Sequence, residues 1–314
     1  MGRPRFHIQP LAALAVLLCG AIFAIVPASA LAGPGSCTDS WLSAVSGSWT
    51  NPANWSEDAV PTASDDVCIQ VAGTYTVTLP ANATVSSLTI GNTSGAGTQT
   101  LTVGGPGDSP TLTLATNSTI NETGELALDT SGGPVYLSAP TTATLSDSGQ
   151  FLVMDDGTTS DYLRANLEIG ASGDAEVAGA LIQDVNTTTT NLGTFTVDGT
   201  GSIRLTSGED VFTNDGSVVN SGALTLSGNA SWTQNAGAAV QSGNPVEIFS
   251  GGLLDDESGA GRFYLIDSAQ LEGTIPAQQT VTAEALPGHN ANVSLVGTSV
   301  TNDGTLLLDE PSTG

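Results

Sequence analysis

Beyond residue 70, apolar and polar residues alternate with a period of two. Tyr75-Thr-Val77-Thr-Leu79, Leu88-Thr-Ile90, Leu101-Thr-Val103 and Leu112-Thr-Leu114 open the series. Leu126-Ala-Leu128, Phe195-Thr-Val197, Ile203-Arg-Leu205 and Leu224-Thr-Leu226 continue it. Each run is short and ends at Gly, Asn, Asp or Pro. Neighbouring side chains of a strand point to opposite faces, so these runs read as strands with one buried face. After residue 30 no window sustains an apolar period of 3.6, which argues against helices.

The strands repeat. Asn-x-Gly-x-apolar occurs at Asn191, at Asn214, one residue out of register at Asn235, and at Asn302. The tetrad Thr-Asn-Asp-Gly occurs at Thr213 and Thr301, a separation divisible into four steps of about 22 residues. Gly-x-apolar-x-Leu, at Gly124, Gly201, Gly222, Gly261 and Gly304, fits that period less well. Three short strands and three turns in about 22 residues describe one coil of a right-handed parallel β-helix. Stacked coils share a core that no single coil can bury. In this reading glycine serves corners with positive φ, and asparagine forms ladders with the residue above it. About 11 coils are expected over residues 70–308, stacked at ~4.8 Å per strand. An antiparallel sandwich pair is the competing all-β fold, disfavoured because clear two-residue hairpin turns are missing.

Residues 31–69 break the pattern. Trp41, Trp49 and Trp55 lie here, with Asn54, Pro61, Asp65 and Asp66 around them. A β-helix has open ends, and large aromatic rings over the first coil would cover its core. Pro61 suits an edge because it donates no hydrogen bond to a ladder. Asp65-Asp66 would form a turn before a first full strand, Val67–Val71. Residues 309–314 read as a polar tail, expected to fold over the last coil, to dimerise, or to mark a sequence shortened from a longer parent.

Residues 1–30 read as an export signal: Arg3 and Arg5, an apolar run from Leu11 to Val26, then Ala28-Ser29-Ala30 as a cleavage site. A membrane anchor is the alternative, but the run is short for a span. Cleavage would remove Cys19 and leave Cys37 and Cys68. In an oxidising compartment one disulfide is the simplest pairing, contributing about 3–4 kcal/mol in the loop-entropy model; two free thiols are the alternative.

The charge is strongly lopsided. The chain has 31 acidic and 5 basic residues, a formal net charge of −26, and no lysine. Such a surface repels nucleic acid and anionic membranes and favours solubility. Disorder does not follow, because 39% of residues are hydrophobic and they alternate.

The string Gly47-x-Trp49-x4-Asn54-Trp55-x5-Pro61-x3-Asp65-x-Val67-x-Ile69 resembles the N-terminal segment of large secreted bacterial β-helix proteins, the autotransporter-passenger-like and filamentous adhesin-like surface proteins. The close motif spans about 23 residues and the looser strand repeat most of the remainder. The family often has Gly in the position held here by Asp58, which is expected to change that turn. The resemblance implies an exported rod for display or adhesion. It implies no named ligand and no catalytic residues.

Catalytic chemistry is thin in the sequence. Asp65-Asp66, Asp155-Asp156 and Asp255-Asp256-Glu257 are acidic pairs of the kind glycoside hydrolysis uses. Adjacent strand residues point to opposite faces, however, so each is expected to be a solvated turn group. His289 sits in a turn-like string, and nothing marks it as part of a triad. No cofactor is implied. Stacked Asp turns could bind calcium weakly, and Gly104-Gly105-Pro106-Gly107-Asp108 nearly matches a calcium repeat without repeating.

The expectation is therefore a non-catalytic extracellular structural or adhesive protein touching glycans or matrix components. The alternative is a polysaccharide-acting enzyme or carbohydrate-binding module on the same scaffold. An enzyme should converge two acids, or an acid and an arginine, in one groove. Asp155, Asp156, Arg164 and Arg204 are the candidates, and they are expected not to form a pocket.

Overall fold

The structure, a computed structural model, describes residues 37–155, 159–285 and 292–309. Residues 1–30, expected to be an export signal, together with His289, Asp156 and the residues beyond Asp309, lie outside the described residues. Those described form an all-β solenoid of about 10 turns. The one helical element among them is a short 3-10 turn, Pro52–Asn54.

Three parallel ladders build the solenoid. The first holds 12 strands, from Asp39–Ser40 to Ser294–Asn302. The second runs from Gly47–Ser48 through Tyr75–Leu79 to Thr305–Asp309. The third begins at Ala83–Val85 and ends at Val246–Ile248. The second and third merge at Ala260–Ile266, which pairs with Ala238 through Ala260 and with Val246 through Phe263. Beyond that point each turn has two strands.

The period near 22 is correct for the middle of the rod. Along the first ladder Ser146, Glu168, Thr190, Thr213, Thr233 and Asp255 are successive partners, at steps of 22, 22, 23, 20 and 22 residues. Earlier coils are longer: Thr89 pairs with Thr119, and Thr119 with Ser146. After Asp255 the partner is Glu272, a step of 17.

The Asn-x-Gly motif has a physical cause that differs in part from the one expected. Asn191 and Asn214 are fully buried at the inner corner of the first ladder. Asn191 Nδ2 donates to Asn214 Oδ1 at 2.9 Å, and Asn214 Nδ2 to Gln234 Oε1 at 3.2 Å. The expected ladder is present, and Gln234 takes the place that Asn235 misses by one residue. The glycines, however, are not at positive φ. A Cβ on Gly193 would lie 2.3 Å from the Gly170 carbonyl oxygen, on Gly216 2.4 Å from that of Gly193, and on Gly237 2.0 Å from that of Gly216. Coils stack there without room for a side chain. Gly216→Ala should therefore cost about 1–3 kcal/mol, the range for overpacking; denaturant unfolding checks this, and an unchanged midpoint would refute it.

Inside, aromatic rings stack between coils. Phe212 and Trp232 are parallel at 4.4 Å, flanked by Phe195 at 5.1 Å and Phe263 at 6.0 Å. All four are fully buried. The Trp232 indole N–H donates to Gln234 Oε1 at 3.1 Å, which ties the stack to the polar corner.

The tryptophan block covers the first coil and also starts it. Asp39–Ser40 pairs with Val67–Cys68, and Gly47–Ser48 with Val77–Thr78. The strand expected over Val67–Val71 is Asp66–Ile69. Trp41, Trp49 and Trp55 are buried and meet edge to face at 5.1 and 4.8 Å. Asn54 Nδ2 donates to the Ser48 carbonyl at 3.0 Å. Gly47 leaves space for Asn54 and the Trp41 ring. Pro61 is buried, and Asp65 Oδ2 accepts from the Thr62 N–H and hydroxyl at 2.7 Å each. Cys37 and Cys68 form the disulfide, their Cα atoms 5.7 Å apart. Asp58 holds the turn position where the resemblance led us to expect glycine. It adopts φ 51° itself and donates its N–H to the Trp55 carbonyl at 3.1 Å; aspartate tolerates that conformation better than most residues.

Candidate functional site: the outer face of the third ladder

The third ladder places its outward side chains in columns, one step per coil. Thr111, Tyr136, Tyr162, Ile182, Arg204 and Thr225 are successive partners in one column. Beneath them, Leu112, Leu137, Leu163, Leu181, Ile203 and Leu224 are buried, which fixes the alternation.

Tyr136 and Tyr162 stack at 4.7 Å with 13° between their planes. The Arg164 guanidinium carbon lies 4.7 Å from the Tyr136 ring centre and 5.1 Å from that of Tyr162. Such contacts contribute about 0.5–1 kcal/mol at exposed sites. Arg164 Nε and Nη2 donate to the two oxygens of Asp184 at 2.9 and 3.1 Å. These hydrogen bonds push the arginine pKa still higher. The planar fork to Asp184 fixes Arg164 beside the tyrosines. Tyrosine faces, a guanidinium and a carboxylate thus form one half-exposed cluster across three coils.

The acids considered from sequence are elsewhere. Asp155 is exposed in the turn that follows Gln150–Val153. Arg204 is exposed on the third face, two coils beyond Tyr162. Asp65 and Asp66 serve their turn and strand, Asp66 accepting from the Ser87 hydroxyl at 2.7 Å. Asp255 and Asp256 do point to opposite faces, but Asp256 is fully buried, not solvated. It belongs to the same inner column as Gln234. Burial pushes its pKa to about 8, with the Asp255 and Glu257 charges adding and a Gln279 hydrogen bond opposing. Asp147 is buried in that column too, and burial raises it to about 7. Gly104-Gly105-Pro106-Gly107-Asp108 folds as a tight turn with Gly104, Gly105 and Gly107 at positive φ.

A convergence of carboxylates that the sequence did not suggest lies on the second ladder. Asp174 and Glu176 face outward there, and Glu176 feels the charges of Asp198 and Asp174. Burial raises Glu176, and the neighbouring charges raise it further. Among the described residues no group of three or more His, Cys, Asp or Glu has the arrangement to hold a metal ion. Nor is any helix among them long and apolar enough to cross a membrane.

The chain matches no family model, no curated protein and no solved structure.

Proposed function

We propose that this protein is a non-catalytic extracellular structural or adhesive rod that touches glycans through its third face. The Tyr136–Tyr162–Arg164–Asp184 cluster is the observation that supports this reading. Amphipathic rings beside a fixed guanidinium and carboxylate offer apolar contact together with directed donors and acceptors, the combination that a sugar's CH groups and hydroxyls need. The export signal read at residues 1–30 and the Gly47–Ile69 resemblance support the extracellular placement. The same acidity disfavours nucleic acid as a partner.

A glycan array with a reducing-sugar release assay tests the proposal. Binding without release is expected, with Arg164→Ala weakening it about tenfold, a change of 1.4 kcal/mol. No binding to any glycan would refute it. The second reading, a polysaccharide-acting enzyme, is favoured by the Asp174–Glu176–Asp198 convergence. Sugar release that disappears in Glu176→Gln would establish it instead.

A further inference from the structure

The solenoid sorts its charge by face, and this the sequence does not display. On the second ladder, Glu125, Asp174 and Glu176 point outward. On the first, Glu168, Asp255 and Glu272 do so. On the third ladder, the outward strand positions from Thr111 to Thr225 hold no carboxylate at all. They hold hydroxyls, two tyrosines, an isoleucine, alanines, Arg164 and Arg204. Acid returns only at Glu247, the next partner after Thr225, whose pKa is raised by burial and by Glu284.

We infer that this face, whose outward strand positions carry no carboxylate and whose Asp184 is paired with Arg164, binds an uncharged, hydroxyl-rich polysaccharide laid along the rod axis. The inference rests on the glycan reading above and names the ligand class. An anionic glycan would need a cationic surface. Arg164 is already paired with Asp184, and the molecule as a whole carries −26. A neutral chain avoids that repulsion, and the third face is where it meets the fewest competing charges. Ser138, Ser160, Ser202, Thr111 and Thr113 supply hydroxyls that both donate and accept. Five steps of ~4.8 Å separate Thr111 from Thr225, about 24 Å in all. A regular polymer running along that column meets a new side chain at each step, so contacts add with chain length.

The experiment is calorimetric titration of the full-length protein with neutral gluco- and xylo-oligosaccharides of increasing length, and with polygalacturonate and hyaluronate as anionic probes. Affinity for neutral chains should rise with length and then level off, and should not change with salt. Tyr162→Ala should weaken it about tenfold. Arg204→Ala, an exposed substitution that leaves the fold intact, should weaken it about fivefold. Tighter binding of the anionic probes, or loss of binding in salt, would overturn this inference and leave the glycan reading standing. Neutral binding that ignores both substitutions would overturn it as well. Failure of every probe would overturn both.

Discussion

Trp55→Ala is expected to lower the stability by about 3–5 kcal/mol, the range for removing a large buried aromatic side chain. Trp55 is fully buried between Trp41 and Trp49, and its indole N–H donates to the Trp49 carbonyl at 2.7 Å. Its backbone also bridges to Trp41. Truncation would leave a cavity, orphan the Trp49 carbonyl and loosen the cover over the first coil. The Cys37–Cys68 bond ties the same segment to the strand Asp66–Ile69, so the loss should be larger still when that bond is reduced. Chemical denaturation of the variant with and without reductant checks both statements. A loss below about 1 kcal/mol would mean that the rings do not cover the core.

The second large effect is a stability that falls as pH rises from acid to neutral. Asp147 and Asp256 are raised from an ordinary 3.8 to about 7 and about 8, chiefly by burial. A raised carboxyl contributes stability that is complete below its unfolded pKa and is lost as pH climbs through the folded one. The window is therefore about pH 4 to about 8. At 1.36 kcal/mol per unit the ceilings are about 4 and about 6 kcal/mol. Relaxation and water entry reduce these, and a combined loss of about 3–5 kcal/mol is expected. Asp174, Glu176 and Glu247 are raised as well and act with the same sign.

Burial favours the protonated form of Asp256 against the opposing Gln279 hydrogen bond. The Gln279 amide donates to Asp256 Oδ2, whereas Asp256 Oδ1 and Gln279 Oε1 are buried without partners. A proton on Asp256 can satisfy what the ionised form leaves unpaired. In Asp147, Oδ1 accepts from the Gly149 N–H at 3.0 Å while Oδ2 has no partner. Thermal unfolding across this pH range should show a falling Tm, and the Asp147→Asn, Asp256→Asn double variant should flatten it. A Tm that rises toward neutral pH would contradict the assignment.

The strands and coil period were legible because both depend on local pattern. Tyr75–Leu79 or Leu112–Leu114 can bury one face in only one way, and Asn191 and Asn214 mark successive coils directly. Positive φ was the wrong reason for the motif glycines, because the clash they avoid is with a carbonyl one coil away. Burial of Asp147 and Asp256 was also hidden, since an aspartate ending a strand reads as a turn residue. The Tyr136–Tyr162 stack needed the register. These residues are 26 apart, in a region where coil lengths vary, so no fixed period aligned them. A signal was present nonetheless. Tyr136-Leu-Ser and Tyr162-Leu-Arg share an inward leucine beneath an outward tyrosine.

Glycan contact through the third face is tested most directly by hydroxyl-radical footprinting of the full-length protein with and without a neutral polysaccharide. Protection is expected at Tyr136 and Tyr162 and not at Tyr264, which lies beyond Glu247 in the same column. Protection centred on the Glu176 face, or none at either tyrosine, would contradict it.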